Sequence, residues 1–174
     1  MTKPRILLHA GQMKTGTSFL QSSIARNIRA LEDSGIFYPS LQNNDRAANG
    51  AFSSGNLGKG EGDWARRVLD RVAEHPGKSA YLVSNEGLGG KILAQPERLH
   101  DFCSVAEVTI IYFLRDPEEH CISHYLQALK VGAIDGKISD YAKSYSAPQR
   151  SLKLIELSET VGAKIELANY SRHK

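Results

Sequence analysis

Cysteine, tryptophan and one-sided charge are all scarce in this 174-residue chain, and each scarcity excludes something. There are two cysteines, Cys103 and Cys121, with no CxxC spacing. They cannot build a disulfide framework or a zinc knuckle, and read as free thiols. Aromatic residues make up 7% and Trp occurs once, while 41% of residues are apolar and 24% charged, the balance of an ordinary globular chain. Lys and Arg total 22 against 19 Asp and Glu, a formal net charge of +3. No large field of one sign exists to draw nucleic acid or an anionic membrane. Apolar runs such as Ile110 to Leu114 fall far short of the ~20 residues that span a bilayer. The early block Ile6, Leu7 and Leu8 is shorter than the ~7–15-residue core of a secretory signal. The reading is cytoplasmic.

What is present is an alternation. Residues 5–9, 80–84, 108–114 and 164–167 are β-branched or aromatic runs bounded by turn residues and read as buried strands. Between them lie helical periods. Leu20, Ile24, Ile28 and Leu31 form one stripe stopped by Gly35; residues 64–74 form a second, ended by Pro76 and Gly77. In the third, at 118–131, Asp116 can cap, Pro117 suits the first helical position, and Cys121, Ile122, Tyr125, Leu126 and Leu129 make a stripe closed by Gly132. A fourth runs over 149–161. Strands alternating with helices predict an α/β fold, three-layer α/β/α, around a mainly parallel sheet, in a single domain over 1–174. Residues 40–62 are polar and glycine-rich with almost nothing to bury, and read as a long flexible loop of the lid or binding kind. The chain stops soon after its fourth expected strand, at Lys174, which leaves a chain cut short at its C-terminus and a short natural form both open.

After the first strand comes Ala10-Gly11-Gln12-Met13-Lys14-Thr15-Gly16-Thr17-Ser18, then a helix. A glycine turn feeding a helix N-terminus exposes backbone N–H groups beside the positive end of the helix dipole, which is an anion cradle. Gly11 and Gly16 keep the spacing of the nucleotide loop G-x-x-x-x-G-K-[ST], but Thr17 follows Gly16 and the lysine has moved forward to Lys14. The Lys-Thr-Gly-Thr-Ser run resembles the 5′-phosphosulfate loop of the sulfotransferase superfamily. The resemblance implies a P-loop-like domain and a donor, 3′-phosphoadenosine 5′-phosphosulfate. It makes Lys14 the cation on the oxygen bridging phosphate and sulfate, where charge builds as the S–O bond breaks. Thr15, Gly16, Thr17 and Ser18 then belong to the 5′-phosphate site. The alternative is a glycine turn kept only for tight packing.

A second signature stands ~95 residues on, also at a strand's C-terminal end, the edge where open α/β sheets bind ligands. Arg115-Asp116-Pro117 with Ser123 eight residues after Arg115 resembles the superfamily's 3′-phosphate site. Arg115 would offer a guanidinium fork and Ser123 a hydroxyl. The plain alternative pairs Arg115 with Asp116 or Glu119. Glu86, after the strand at 80–84, is the candidate base for the acceptor's proton; a Ser-x-Glu there looks like bacterial members of the superfamily. Its competing roles are a helix cap or a partner for Lys91. His9 at a strand end has the bland reading of a satisfied imidazole. His120 and His124 have ligand spacing but no third ligand, and no metal is expected. The run from Gly87 to Lys91 reads as a flexible turn.

The expected activity is transfer of a sulfuryl group to the hydroxyl or amine of an acceptor, carbohydrate or small molecule, with no nucleic acid and no membrane as partner. The acceptor and the oligomeric state are not readable. Two alternatives stand beside it: a domain that binds nucleotide without transfer, and an ATP- and magnesium-dependent kinase. The kinase needs a lysine after Gly16, where Thr17 stands.

Overall fold

The computed structural model of the protein describes residues 2–39, 55–57 and 63–172. Five parallel strands form one sheet: β1 (Arg5–His9), β2 (Ile36–Phe37), β3 (Ala80–Ser84), β4 (Glu107–Leu114) and β5 (Lys164–Asn169), in the order β2-β3-β1-β4-β5. The helices are α1 (Thr17–Arg26), α2 (Ile28–Asp33), α3 (Trp64–Glu74), α4 (Leu88–Ala94), α5 (Pro96–Val105), α6 (Pro117–Lys130), α7 (Ile138–Ser144) and α8 (Ala147–Thr160), with a 3-10 turn at Tyr170–Arg172. The architecture is α/β with a fully parallel sheet flanked by helices. No helix among the described residues is long and apolar enough to cross a membrane.

Right-handed crossovers send β1→β2 along one face and β2→β3→β4→β5 back along the other. Accordingly α1 and α2 take one face, and the main core forms on the other. There Trp64, Leu88, Ile92, Leu99, Phe102 and Leu154 pack on Ile6, Leu8, Val83, Val108 and Ile110. Trp64 and Phe102 meet edge to face, ring centroids 5.3 Å apart, the geometry their quadrupoles favour. All five residues of β3 are buried, as expected of a strand covered on both sides. The loops after β1 and β3 leave toward opposite faces, so a crevice opens between their C-terminal ends.

The four expected strands and α3 lie where the sequence places them, with β4 starting one residue earlier and β5 running two residues longer. Asp116 caps α6, its Oδ1 accepting from the N–H groups of Glu118 and Glu119 at 3.0 and 3.1 Å. Other expectations are corrected. The stripe from Leu20 to Leu31 is two helices broken at Asn27, and α1 buries Thr17, Gln21 and Ala25 instead. Its inner face lies on polar strand ends, where Gln21 donates to Ser84 Oγ at 3.3 Å. On α6 the buried residues are His120 and Cys121, whereas Ile122, Leu126 and Leu129 are exposed. That helix turns a polar side toward the loop after β1.

The run from Gly87 to Lys91 is not a flexible turn but the start of α4. Asn85 Oδ1 accepts from the Gly87 N–H at 2.8 Å, and Gly89 lets the helix lie on β1, its N–H donating to the Ala10 carbonyl at 3.1 Å. A Cβ on Gly89 would stand 3.0 Å from that oxygen. Most of the expected loop at 40–62 lies outside the described residues. Residues 55–57, however, are buried: Leu57 joins the core, and Asn56 donates to the carbonyls of Pro39 and Leu82 and accepts from the Ser84 N–H.

Emptying the core should cost more than trimming its surface. Phe102→Ala is expected to lower unfolding free energy by about 3–5 kcal/mol, because Phe102 is buried against Trp64. Phe19→Ser, at a side chain 80% exposed, should change it by no more than about 0.5 kcal/mol. Urea denaturation of the two variants checks the difference.

Candidate functional site

The loop after β1 first extends the sheet and then reverses. Ala10 and Gln12 donate to the Ile111 and Phe113 carbonyls, and Phe113 donates to Gly11. Gly11 has φ +101° and lies so near the next loop that a Cβ would sit 2.5 Å from the Glu86 carbonyl oxygen. Gly16, at φ +74°, caps α1; a Cβ there would be 2.6 Å from Cε2 of Tyr170. No other residue type fits either position without displacing its neighbour.

Between the two glycines three successive carbonyls are held, two of them from outside the loop. The Gln12 carbonyl accepts from the Thr15 hydroxyl, the Met13 carbonyl from His120 Nε2 at 2.8 Å, and the Lys14 carbonyl from Arg115 Nη1 at 3.0 Å. A carbonyl only accepts, so His120 carries its hydrogen on Nε2 and its Nδ1 takes the Tyr145 hydroxyl proton. Lys14 is the one described non-glycine residue at positive φ, +64°. With the carbonyls turned outward, the backbone N–H groups of residues 13–18 have no hydrogen-bond partner among the described residues. Several lie at the N-terminus of α1, where the helix dipole adds to their attraction for an anion.

This cradle faces a cavity of about 530 Å³ lined by Met13, Lys14, Gly16, Thr17, Ser18, Glu86, Ser123, Gln127 and Tyr170. That volume suits a small-molecule ligand. Of the residues singled out in the sequence, Lys14, Gly16, Thr17, Ser18, Glu86 and Ser123 come together here. Lys14 Nζ donates to Gln127 Oε1 at 2.9 Å, and Glu86 Oε2 accepts from the Thr17 hydroxyl at 3.2 Å. The Thr15 side chain does not reach the cavity, being buried with its hydroxyl on Gln12. Arg115 stands behind the loop, Nε on Glu119 Oε2 at 3.2 Å and guanidinium 5.7 Å from the Tyr170 ring centroid. Its side chain is only 18% exposed.

Three contributors have roles that the sequence does not assign them. Gln127, in the run Tyr125-Leu126-Gln127 that also resembles bacterial members of the sulfotransferase superfamily, follows Ser123 by four residues on one face of α6, a spacing that points to the same cavity. Tyr170 reaches the site from the far end of β5, which no local pattern signals. His120 proves to be a fastener of the loop. With both of its nitrogens engaged it has none left for a metal, and no group of three His, Cys, Asp or Glu that could hold one occurs among the described residues. Burial lowers the His120 pKa against the pull of the Met13 bond, with His124, Arg115 and Arg150 adding to the depression. Burial also lowers that of His124, aided by Arg150 and Lys14.

His9 lies under the loop, not on the cavity. Its Nδ1 meets Ser84 Oγ at 2.8 Å, its Nε2 has no partner among the described residues, and its ring stands edge-on to Phe113.

No protein-family model matches the chain, and no curated protein sequence does. Among solved structures the chain is similar to a sulfotransferase from Alicyclobacillus acidocaldarius, at 11% identity and a TM-score of 0.48, over 98% of this chain and 74% of that one. It is also similar to the signal recognition particle 54 kDa protein of Aeropyrum pernix K1 in complex with GDP, at 14% identity and a TM-score of 0.41, over 97% and 42%.

Burial pushes the His9 imidazole from its ordinary 6.5 down to about 4. The unfolded chain therefore takes up a proton near pH 6.5 that the folded chain refuses until about pH 4. The stability due to neutral His9 is fully present above pH 6.5 and is lost as pH falls from there to about 4, by about 3 kcal/mol in all. His9→Asn, which can keep the bond to Ser84, should flatten that part of the pH dependence. Urea midpoints of both proteins from pH 7.5 to 4 check it; parallel curves would contradict the assignment.

Proposed function

We propose that the protein transfers a sulfuryl group from 3′-phosphoadenosine 5′-phosphosulfate to the hydroxyl or amine of a carbohydrate or small-molecule acceptor. The observation that carries this reading is the run of N–H groups at 13–18, without a partner among the described residues, around a cavity into which the bend itself, through Lys14, presents an ammonium. A triphosphate loop places its lysine after the second glycine, at the helix start, where this chain has Thr17. A cation inside the bend suits a shorter anionic chain whose leaving oxygen lies close to the turn.

The reaction breaks the bond from sulfur to the bridging oxygen, forms one from sulfur to the acceptor's oxygen or nitrogen, and releases adenosine 3′,5′-bisphosphate and the acceptor proton. The N–H groups of 13–18 with the Thr17 and Ser18 hydroxyls hold the 5′-phosphate. Lys14 leaves Gln127 for the bridging oxygen and stabilises the charge that develops there. Glu86, beside Thr17 on the same cavity, takes the acceptor proton. Ser123 meets the 3′-phosphate from α6. Arg115 fastens the Lys14 carbonyl and exchanges its Glu119 partner for phosphate oxygens when the donor is bound, a fork better matched to phosphate than a lysine would be.

Adenosine 3′,5′-bisphosphate at ~100 times its dissociation constant should stabilise the protein by about 2.7 kcal/mol, read as a thermal shift. Stabilisation by ATP with magnesium but not by the bisphosphate would overturn the donor assignment. Binding without transfer to any acceptor would leave a nucleotide-binding domain. Lys14→Ala is expected to lower the transfer rate roughly 10²–10³-fold, and Glu86→Gln roughly 10²–10⁴-fold, with bisphosphate binding retained in the Glu86 variant. Steady-state rates with a labelled donor check both.

A further inference from the structure

Behind Glu86 lies a second cavity, about 250 Å³, that the donor reading leaves without a ligand. Glu86 and Met13 line both cavities, so the second one adjoins the first at Glu86. Leu93, Tyr112 and Leu154 give it an apolar wall, while His124 and Arg150 bring polar groups to its lining. Gly90 also lines it, and a Cβ added there meets no atom within 4 Å.

Arg150, on the first turn of α8, is exposed and makes no side-chain hydrogen bond or ion pair among the described residues. Its charge is felt by Tyr112, His120 and His124. The two imidazoles are held toward their neutral forms by burial and by this cation. Among the described residues of the lining, Arg150 is the one arginine or lysine and Glu86 the one carboxylate. His124 Nδ1 pairs with the Tyr141 hydroxyl. With that hydroxyl donating, Nε2 bears the hydrogen and has no partner among the described residues.

We propose that this second cavity is the acceptor site and that its ligand is a small hydroxylated carboxylic acid. Its hydroxyl lies at the Glu86 wall, its apolar body along Leu93, Tyr112 and Leu154, and its single carboxylate on Arg150 and His124. One guanidinium and the N–H of His124 Nε2 match a single carboxylate, the guanidinium fork meeting its two oxygens. The apolar wall excludes an acceptor that is polar all round. The assignment of the ligand as acceptor rests on the sulfuryl-transfer reading; the site for the acid does not.

The test uses two probes with one phenolic body, 4-hydroxyphenylacetate and its neutral counterpart 4-hydroxyphenylethanol, titrated calorimetrically into the full chain with and without adenosine 3′,5′-bisphosphate. The acid should bind the parent protein roughly tenfold or more tighter than the alcohol. Arg150→Ala should erase that preference while leaving the alcohol's affinity unchanged. Gly90→Phe, which fills the cavity from an open position, should abolish binding of both probes, and both variants should keep the parent's melting temperature. Equal affinity of the two probes, a preference that survives in Arg150→Ala, binding that survives in Gly90→Phe, or no binding of either probe to the parent overturns the proposal. If the acid preference holds while the bisphosphate produces no shift, the donor reading fails and the acid site stands.

Discussion

A loop can grip an anion only if its carbonyl oxygens face elsewhere, since each carbonyl turned inward would repel the charge that the N–H groups attract. Here three successive carbonyls, of Gln12, Met13 and Lys14, are taken by Thr15, His120 and Arg115. A lysine in the left-handed region costs about 1–3 kcal/mol. A hydrogen bond to a charged donor such as Arg115 contributes about 1.5–3 kcal/mol, enough to hold Lys14 at φ +64°. Two of the three fasteners come from elsewhere in the chain. Arg115 follows β4, His120 sits on the first turn of α6, and Tyr145, which orients His120, follows α7 directly. The cradle is thus a product of tertiary packing, even though its residues are contiguous.

The sheet's connectivity decides what the cradle faces. Because the chain leaves β1 toward one face and β3 toward the other, the loops carrying Lys14 and Glu86 diverge around one crevice. Gly11 lets them approach closely, with its α-carbon against the Glu86 carbonyl. Glu86 stands between two cavities, one on the N–H side of the loop and one running toward α4 and α8. The two cavities meet at this one residue and at Met13.

How much of this was legible depended on range. The strands, the cap at Asp116 and the glycine loop are written in local chemistry, and the cavity residues Lys14, Glu86 and Ser123 all stand at strand ends or on a helix that follows one. Apolar periodicity misled where a helix packs against polar groups. The inner faces of α1 and α6 carry Gln21 and His120, so the stripes through Leu20 and Leu126 were the wrong faces. The glycines of α4 looked like a turn because their purpose, a close approach to Ala10, is visible only in three dimensions. No local pattern signals Arg115 as a fastener of Lys14, a contact between residues 101 apart in sequence.

The central claim, that the backbone at 13–18 is an anion cradle held open by Arg115 and His120, is tested most directly by amide chemical shifts. In ¹⁵N-labelled protein titrated with adenosine 3′,5′-bisphosphate, the account predicts that the amides of residues 13–18, including Gly16, move downfield together and saturate as one site. Nucleotide binding that left those amides unmoved would contradict it.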